Sequence, residues 1–223
     1  MNELLEKITL CIERGKADLN SPFPADMQGQ VGAAELTQRA LQQGISPNRV
    51  LGEALITGMH RVGEKFSRGE AFVPDLLIAA KAMNAAMAHI KPFFETGEVR
   101  RKGTFVIGTV AGDLHDIGKN IVRMVLEGNG WEVIDLGINV SGEKFLNAIE
   151  QHPGCMVGMS SLLTTTMAGM EKTVAEIKAK HPGIRIFIGG APVTKKFSDK
   201  IGADGYFPDP QGLVEHLERI HPR

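Results

Sequence analysis

The chain has 223 residues, 43% hydrophobic and 23% charged, with a formal net charge of −1; this is enough for one large domain or two small ones with proper cores. So even a balance gives no electrostatic reason to expect nucleic acid or a membrane surface as a partner, and no apolar run approaches a spanning length. No basic segment followed by an apolar one opens the chain, and neither Cys11 nor Cys155 belongs to a CxxC, so a cytosolic protein without a disulfide framework or thiolate metal site is expected.

Residues 1–97 carry a helical period throughout. Leu4, Leu5, Ile8 and Ile12 mark a short amphipathic helix that Gly15 helps to end, and Ser21-Pro22-Phe23-Pro24 is a breaker cluster. A second helix is expected over 34–43, closed by Gly44. Ser46-Pro47 then sets an N-cap before a proline at the first helical position. Val50, Leu51, Ala54, Leu55, Met59, Val62 and Phe66 follow on one face. Pro74 starts a fourth helix, carrying Leu77, Ile78, Met83, Met87 and Ile90 towards Pro92. Four helices with short connections make a small bundle. The ten methionines suit irregular core packing, or an apolar surface against a bulky planar ligand.

After the charged linker Glu98-Val99-Arg100-Arg101-Lys102-Gly103 the period changes. Short apolar runs at 104–110, 131–136, 155–159, 184–188 and 204–207 alternate with helix-like stretches at 118–129, 142–151, 166–180, 194–201 and 211–220. Five strands alternating with helices imply an α/β unit whose parallel sheet is covered on both faces by right-handed crossovers. The boundary is set at the linker, giving a helical domain over 1–97 and an α/β domain over 98–223.

Between the first expected strand and the helix after it runs Gly112-Asp113-Leu114-His115-Asp116-Ile117-Gly118-Lys119-Asn120. Ligands bind at such carboxyl strand ends in open α/β sheets. A lone loop histidine is ordinarily a surface group bonded to its neighbours. Asp113, two residues before His115, weighs towards ligation, because a ligating imidazole commonly donates its second N–H to a carboxylate. Gly112 and Gly118 permit close approach of backbone to a large ligand. Zinc would need three or four protein ligands, and no second His or Cys lies at ligand spacing. Magnesium could use Asp113 and Asp116, which leaves the histidine unexplained. A metal that needs one protein ligand brings the rest of its coordination with it, as a macrocycle does, which narrows the field to haem or a corrin. The CxxCH haem attachment motif is absent.

Two further strand ends carry small and hydroxylated residues, Ser160-Ser161-Leu162-Leu163-Thr164-Thr165-Thr166 and Gly189-Gly190-Ala191-Pro192. Each alone is ordinary loop chemistry; together they line one sheet edge in a way that suits a nucleotide-like tail. Neither GxGxxG nor GxxxxGK[ST] is present, and Met159-Ser160 stands where a phosphoaspartate receiver carries its Asp.

Asp113-Leu114-His115-Asp116-Ile117-Gly118 fits the DxHxxG signature of cobalamin-binding domains, and Gly158–Thr164 and Gly189-Gly190 resemble that family's second and third blocks. Gly63-Glu64-Lys65-Phe66 and Ala71-Phe72-Val73-Pro74 resemble the helical cap found in methionine synthase and in corrinoid proteins of methyltransferase systems. The resemblance covers nearly the whole chain. It implies a cap followed by a flavodoxin-like domain that binds cobalamin or a related corrinoid. His115 would be the lower cobalt ligand, hydrogen-bonded by Asp113, with Thr166 at the position of a relay serine. Gly112, Leu114, Asp116, Ile117 and Gly118 would contact the cofactor from the ligand loop. Ser160, Leu162, Thr164, Gly189, Gly190, Gly205 and Tyr206 would line its tail. Phe66 and Val73 would shield its reactive face.

The resemblance further implies a methyl carrier that is not an enzyme alone. It would accept a methyl group on cobalt from a substrate methyltransferase of the methyl ether, methylamine or methanol class. It would pass that group to a second methyltransferase, with a reductive activase as a further partner. Gly97 to Gly103 are candidate hinges for cap movement. Methionine synthase itself is not expected at this length, and mutase cobalamin domains lack the cap. A cobalamin-dependent sensor is the alternative, although Gly58-Met59-His60 stands where its Trp and Glu-His pair are expected.

Overall fold

The computed structural model describes residues 2–220. The chain divides into two compact units, Met1–Arg101 with Met124–Gly130, and Lys102–Arg123 with Trp131–Arg223.

In the helical unit α1 (Glu3–Glu13) is capped by Asn2, whose Oδ1 accepts the Leu4 N–H at 3.0 Å. This satisfies one of the donors that a helix start leaves free. At α2 (Ala33–Gln42) the Glu35 carboxylate takes the N–H groups of Gly32 at 2.9 Å and Leu19 at 3.0 Å, tying the incoming loop to the helix. Next come α3 (Pro47–Arg49), a π-helical stretch over Val50–Ile56, and α4 (Thr57–Ser67), with no break between them. The face expected from Val50 to Phe66 is nevertheless kept, with Val50, Leu51, Ala54, Leu55, Met59 and Val62 buried and Phe66 half-buried. Two carbonyls of this stretch also take side-chain donors: Thr57 Oγ1 reaches Gly52 O at 3.1 Å, and Thr9 Oγ1 lies 3.2 Å from Ala54 O. Gly58 permits the close approach of α1, since a Cβ there would stand 2.6 Å from Ile12 Cβ.

The last helix of this unit, α5 (Val73–Glu95), runs one turn past the expected stop at Pro92. Its end is closed by the Thr96 N–H on Pro92 O at 3.2 Å and by Gly97 at φ +76°. Leu77 is exposed; the buried stripe is Leu76, Ala79, Ala80, Met83, Ala86 and Ile90. Its alanines let α5 pack closely on α2. Leu5, Ile8, Ile12, Leu55 and Met59 complete this core, each burial contributing about 1.5–3 kcal/mol.

The second unit holds β1 (Thr104–Thr109), β2 (Glu132–Asp135), β3 (Met156–Ser160), β4 (Ile186–Gly189) and β5 (Gly205–Tyr206). They alternate with α6 (Ile117–Gly128), whose residues from Met124 onward are grouped with the first unit, and with α7 (Gly142–Gln151), α8 (Met167–Lys180), α9 (Lys195–Ile201) and α10 (Pro210–Ile220). All pairings are parallel and the strand order is β2-β1-β3-β4-β5. This is the flavodoxin-like order, with its topological switch point between β1 and β3. Thr109 pairs with Ser160 and Ser160 with Gly189, so three strands end level. Their outgoing loops therefore start side by side. No helix among the described residues is long and apolar enough to cross a membrane.

Candidate cofactor site at the strand ends

The loop from β1 to α6 is pinned by its own backbone and by the loops beside it. Gly112, at φ +83°, gives its N–H to Asn139 Oδ1 at 2.8 Å, while Asn139 gives its N–H to Asp113 O at 3.0 Å. Asn139 itself stands at φ 52°, a conformation asparagine tolerates better than most side chains. Thr109 Oγ1 donates to His115 O at 2.8 Å.

These contacts aim the Asp113 carboxylate inward, where it is fully buried, and leave the His115 side chain 51% exposed. Asp113 Oδ1 lies 2.7 Å from His115 Nδ1 and accepts the His115 backbone N–H at 3.1 Å. Its Oδ2 accepts the N–H groups of Leu162 at 2.6 Å and Leu163 at 3.1 Å, and the Thr166 hydroxyl at 3.1 Å. Burial pushes the Asp113 carboxyl up. The His115 side chain and the N–H groups of Leu162, His115 and Leu163 more than offset this and hold it well below the usual carboxylate range. Asp113 is thus a carboxylate, and the proton between it and the imidazole belongs on Nδ1. In the neutral ring that arrangement leaves the Nε2 lone pair free, the tautomer a metal-ligating histidine requires.

Around the imidazole the surface is apolar. Leu114 is 66% and Ile117 72% exposed, with Leu162 and Leu163 also open. Large side chains left in water around a polar centre mark a binding surface. No group of three or more His, Cys, Asp or Glu among the described residues could hold a metal ion. A single free imidazole nitrogen within an apolar rim fits a metal that arrives inside its own macrocycle, and does not fit a bare ion.

The structure brings together some of the residues singled out in the sequence. Asp113, His115 and Thr166 meet in one hydrogen-bonded cluster with the N–H of Leu162, Gly112 joins it through Asn139, and Leu114 is exposed on the same loop. Ser160 ends β3, and its carbonyl accepts the Val110 N–H at 3.0 Å. Thr164 is exposed on the short turn Thr164–Thr166. The Gly189 carbonyl accepts the Ser161 N–H at 3.1 Å. Gly190, at φ +121°, leaves no room for a side chain, since a Cβ would stand 1.8 Å from Ser161 O.

Other residues take no part in that hydrogen-bonded cluster. Asp116 is exposed and accepts from Asn120 Nδ2 at 3.0 Å, supporting the start of α6, where Ile117 and Gly118 form the first turn. Gly205 and Tyr206 form β5; a Cβ on Gly205 would press on Phe207 and Phe187, so packing alone accounts for that glycine. Phe66 and Val73 belong to the helical unit, near the end of α4 and at the start of α5.

Three participants were missed by sequence reasoning. Asn139 lies 27 residues from its Gly112 partner. Ser161 is fully buried, with its Oγ 2.7 Å from Thr166 Oγ1. Lys119 is also buried, its Nζ held by Asp135 at 2.6 and 2.7 Å and by Asn120 Oδ1 at 2.7 Å. Only the hydroxyl-rich run after β3 offered a signal, and it did not single out Ser161.

A five-stranded 2-1-3-4-5 sheet with a buried Asp and an outward imidazole at its switch point, preceded by a helical unit, defines a B12-binding protein. Residues 103–214 match the family model described as B12 binding domain, and residues 30–91 match a second model of the same description. Trimethylamine corrinoid protein 1 of Methanosarcina acetivorans is 42% identical over 194 residues, 84% of this chain and 89% of that protein. Among solved structures, a cobalamin-binding protein from Desulfitobacterium hafniense DCB-2 superposes with a TM-score of 0.75 at 28% identity, covering 96% of this chain and 97% of that one. The methanol:cobalamin methyltransferase complex MtaBC from Methanosarcina barkeri gives 0.81 at 28% identity, over 99% of this chain and 80% of that chain. The chain belongs to the family of B12-binding corrinoid proteins, and its cofactor is cobalamin or a related corrinoid with its cobalt.

Proposed function

We propose that this protein is a methyl carrier in a corrinoid-dependent methyltransferase system. The observation that carries the reading is the Asp113–His115 pair, a buried carboxylate 2.7 Å from Nδ1 that leaves Nε2 free at the mouth of an α/β sheet. The bound cobalt would accept and give up the methyl group, chemistry no side chain offers. The chain's part is to hold and orient. His115 Nε2 would ligate the metal from below, and Asp113 keeps the imidazole in the ligating tautomer. Leu114, Ile117, Leu162 and Leu163 offer the apolar contact a corrin needs. Gly112, Asp116 and Gly118 belong to the same ligand loop. Ser160, Thr164, Gly189, Gly190, Gly205 and Tyr206 are assigned to the cofactor's tail. Phe66 and Val73, in the helical domain of residues 1–97, are assigned to the shielding of its reactive face.

Partners follow from the reading: a methyltransferase that loads the carrier, a second that unloads it, and an activase that restores the reduced metal. The first is supported by the likeness to MtaBC, a methyltransferase complex. The donor class we favour is the methylamines, since a relative 42% identical is named a trimethylamine corrinoid protein. The same relative, aligned over 84% of this chain, speaks against the sensor reading. We place the carrier in the cytoplasm, where its two free cysteines, both buried, stay reduced.

The test is direct. The reduced holoprotein is mixed with a trimethylamine, methanol or methyl ether methyltransferase and the matching donor, and the corrinoid spectrum is followed. Methylation with trimethylamine alone is expected. Methylation with none of the three donors would overturn the carrier reading, and methylation with another donor would overturn the choice of class.

A further inference from the structure

Behind Asp113 stand two hydroxyls. Thr166 Oγ1 lies 3.1 Å from Asp113 Oδ2, 2.9 Å from Leu163 O and 2.7 Å from Ser161 Oγ. Ser161 Oγ is also 3.1 Å from Leu163 O. Two protons therefore serve four contacts, at 2.7, 2.9, 3.1 and 3.1 Å, and the arrangement depends on which hydroxyl donates to which. If Thr166 donated to Ser161 or to Leu163 O, the buried carboxylate would lose a donor. If Ser161 turned to Leu163 O while Thr166 faced Asp113, the two oxygens would meet at 2.7 Å without a proton between them. One arrangement avoids both costs, with Ser161 donating to Thr166 and Thr166 to Asp113. Hydrogen bonds to a charged acceptor are roughly twice as strong as neutral ones, and a chain ending on that charge polarises along its length.

Ser161 is held in place for this role. It is fully buried, its N–H is bonded to Gly189 O at 3.1 Å, and its carbonyl lies against the space that Gly190 leaves open. Thr166 is held as well, with its Cγ2 3.4 Å from where a Cβ on Gly112 would stand.

We infer that Ser161 is a positioning residue for the lower ligand, donating to Thr166 so that the Thr166 proton is committed to Asp113 and His115 stays in its Nδ1–H tautomer. This rests on the reading of His115 as the ligand, but concerns a property the protein has before any corrinoid is added. The experiment is side-chain 15N NMR of His115 in the apoprotein at pH 8.5, comparing wild type, Ser161→Ala, Thr166→Val and the double variant. Ser161→Ala should shift the ratio of Nδ1–H to Nε2–H tautomers about fivefold towards Nε2–H, the scale of one weakened hydrogen bond. In the Thr166→Val background the same change should do nothing further, because the effect passes through the threonine hydroxyl.

An unchanged ratio in Ser161→Ala, or equal effects in both backgrounds, would overturn the inference. A second readout follows the holoprotein. The axial-nitrogen splitting in the electron paramagnetic resonance of its Co(II) form should lose intensity in Ser161→Ala and lose no more on going from Thr166→Val to the double variant. Tautomer shifts without any axial nitrogen in the wild type would instead overturn the ligand assignment and leave the role of Ser161 standing.

Discussion

Thr166 turns its Cγ2 methyl towards Gly112, 3.4 Å from the place of a Cβ, while its hydroxyl reaches the Asp113 carboxylate at 3.1 Å. The carbon that distinguishes threonine from the serine expected at such a relay position therefore restricts χ1 and steers the hydroxyl. Thr166→Ser keeps the donor and drops the steric guide, so its loss of stability should stay below about 1 kcal/mol. Thr166→Val keeps the shape and drops the donor, leaving a buried carboxylate and the Ser161 hydroxyl short of a partner, at about 1–3 kcal/mol. Urea denaturation of the two variants measures the difference, and a larger loss for serine would show that shape, not hydrogen bonding, governs the position.

Asp113→Asn tests the charge. Burial opposes ionisation of Asp113 and its five donors win, so its folded pKa lies below the ordinary 3.8. A depressed carboxylate contributes stability that is complete above its unfolded value and disappears as the pH falls through the folded one. Wild-type stability should therefore decline as the pH drops below about 4, and the decline should be shallower in Asp113→Asn. It should not vanish, because Asp135 is depressed as well: burial raises it, and its bonds to Lys119 and Gly137 outweigh that. The amide must also point its NH2 at a donor, so at neutral pH the variant should be less stable and should bind corrinoid without a histidine ligand. Urea midpoints at pH 3 and pH 6, with the absorption spectrum of the loaded protein, decide both points.

Much of this was legible in the chain. Parallel strands buried on both faces read as unbroken apolar runs, and β1, with five of its six residues buried, is such a run. The Asp-x-His spacing already places the carboxylate beside the ring, and the structure gives that contact as 2.7 Å. What stayed hidden depended on register and distance. Four hydroxyl residues follow Ser160, and only the pairing of β3 with β4 decides that Ser161 and Thr166 turn inward while Thr164 and Thr165 face out. Asn139 comes from another loop altogether. The π-helical stretch in the helical unit leaves no mark in a pattern that fits an ordinary α-helix nearly as well. Lys119 was passed over because lysine is almost never fully buried unless paired, and its partner Asp135 lies 16 residues further on, at the end of β2.

That pair makes an asymmetric prediction. Lys119 Nζ is buried and donates to both oxygens of Asp135, whereas Asp135 also receives Arg123 at 3.2 Å and the Gly137 N–H at 2.9 Å. Removing the lysine leaves the carboxylate two donors. Removing the carboxylate charge leaves a buried ammonium with Asn120 Oδ1 and a neutral amide. Breaking a buried pair from one side costs about 3–5 kcal/mol. Asp135→Asn should lie at the upper end and Lys119→Met at the lower. Because Lys119 sits in the first turn of α6, four residues after His115, both variants should also lower corrinoid retention. Equal losses in urea denaturation would show that Arg123 and Gly137 do not compensate the carboxylate.

Gly190 offers the sharpest separation of site from fold. It stands at φ +121°, a conformation that a side chain rarely adopts, and a Cβ would fall 1.8 Å from the Ser161 carbonyl oxygen. Neither backbone can yield without moving the other, because Ser161 is tied to Gly189 and the next two residues carry the N–H groups that hold Asp113. Gly190→Ala should therefore displace the 161–163 loop, strip Asp113 of two donors and lower corrinoid affinity at least tenfold, about 1.4 kcal/mol or more. Gly118, where a Cβ would meet nothing within 4 Å, supplies the contrast in the empty protein. Gly118→Ala should leave the apoprotein as stable as the wild type, because alanine is the better helix former, while Gly190→Ala destabilises it by about 2–4 kcal/mol. If Gly190→Ala instead binds corrinoid as the wild type does, measured by cofactor retention on gel filtration, the loop after β3 does not hold Asp113 in the way its hydrogen bonds indicate.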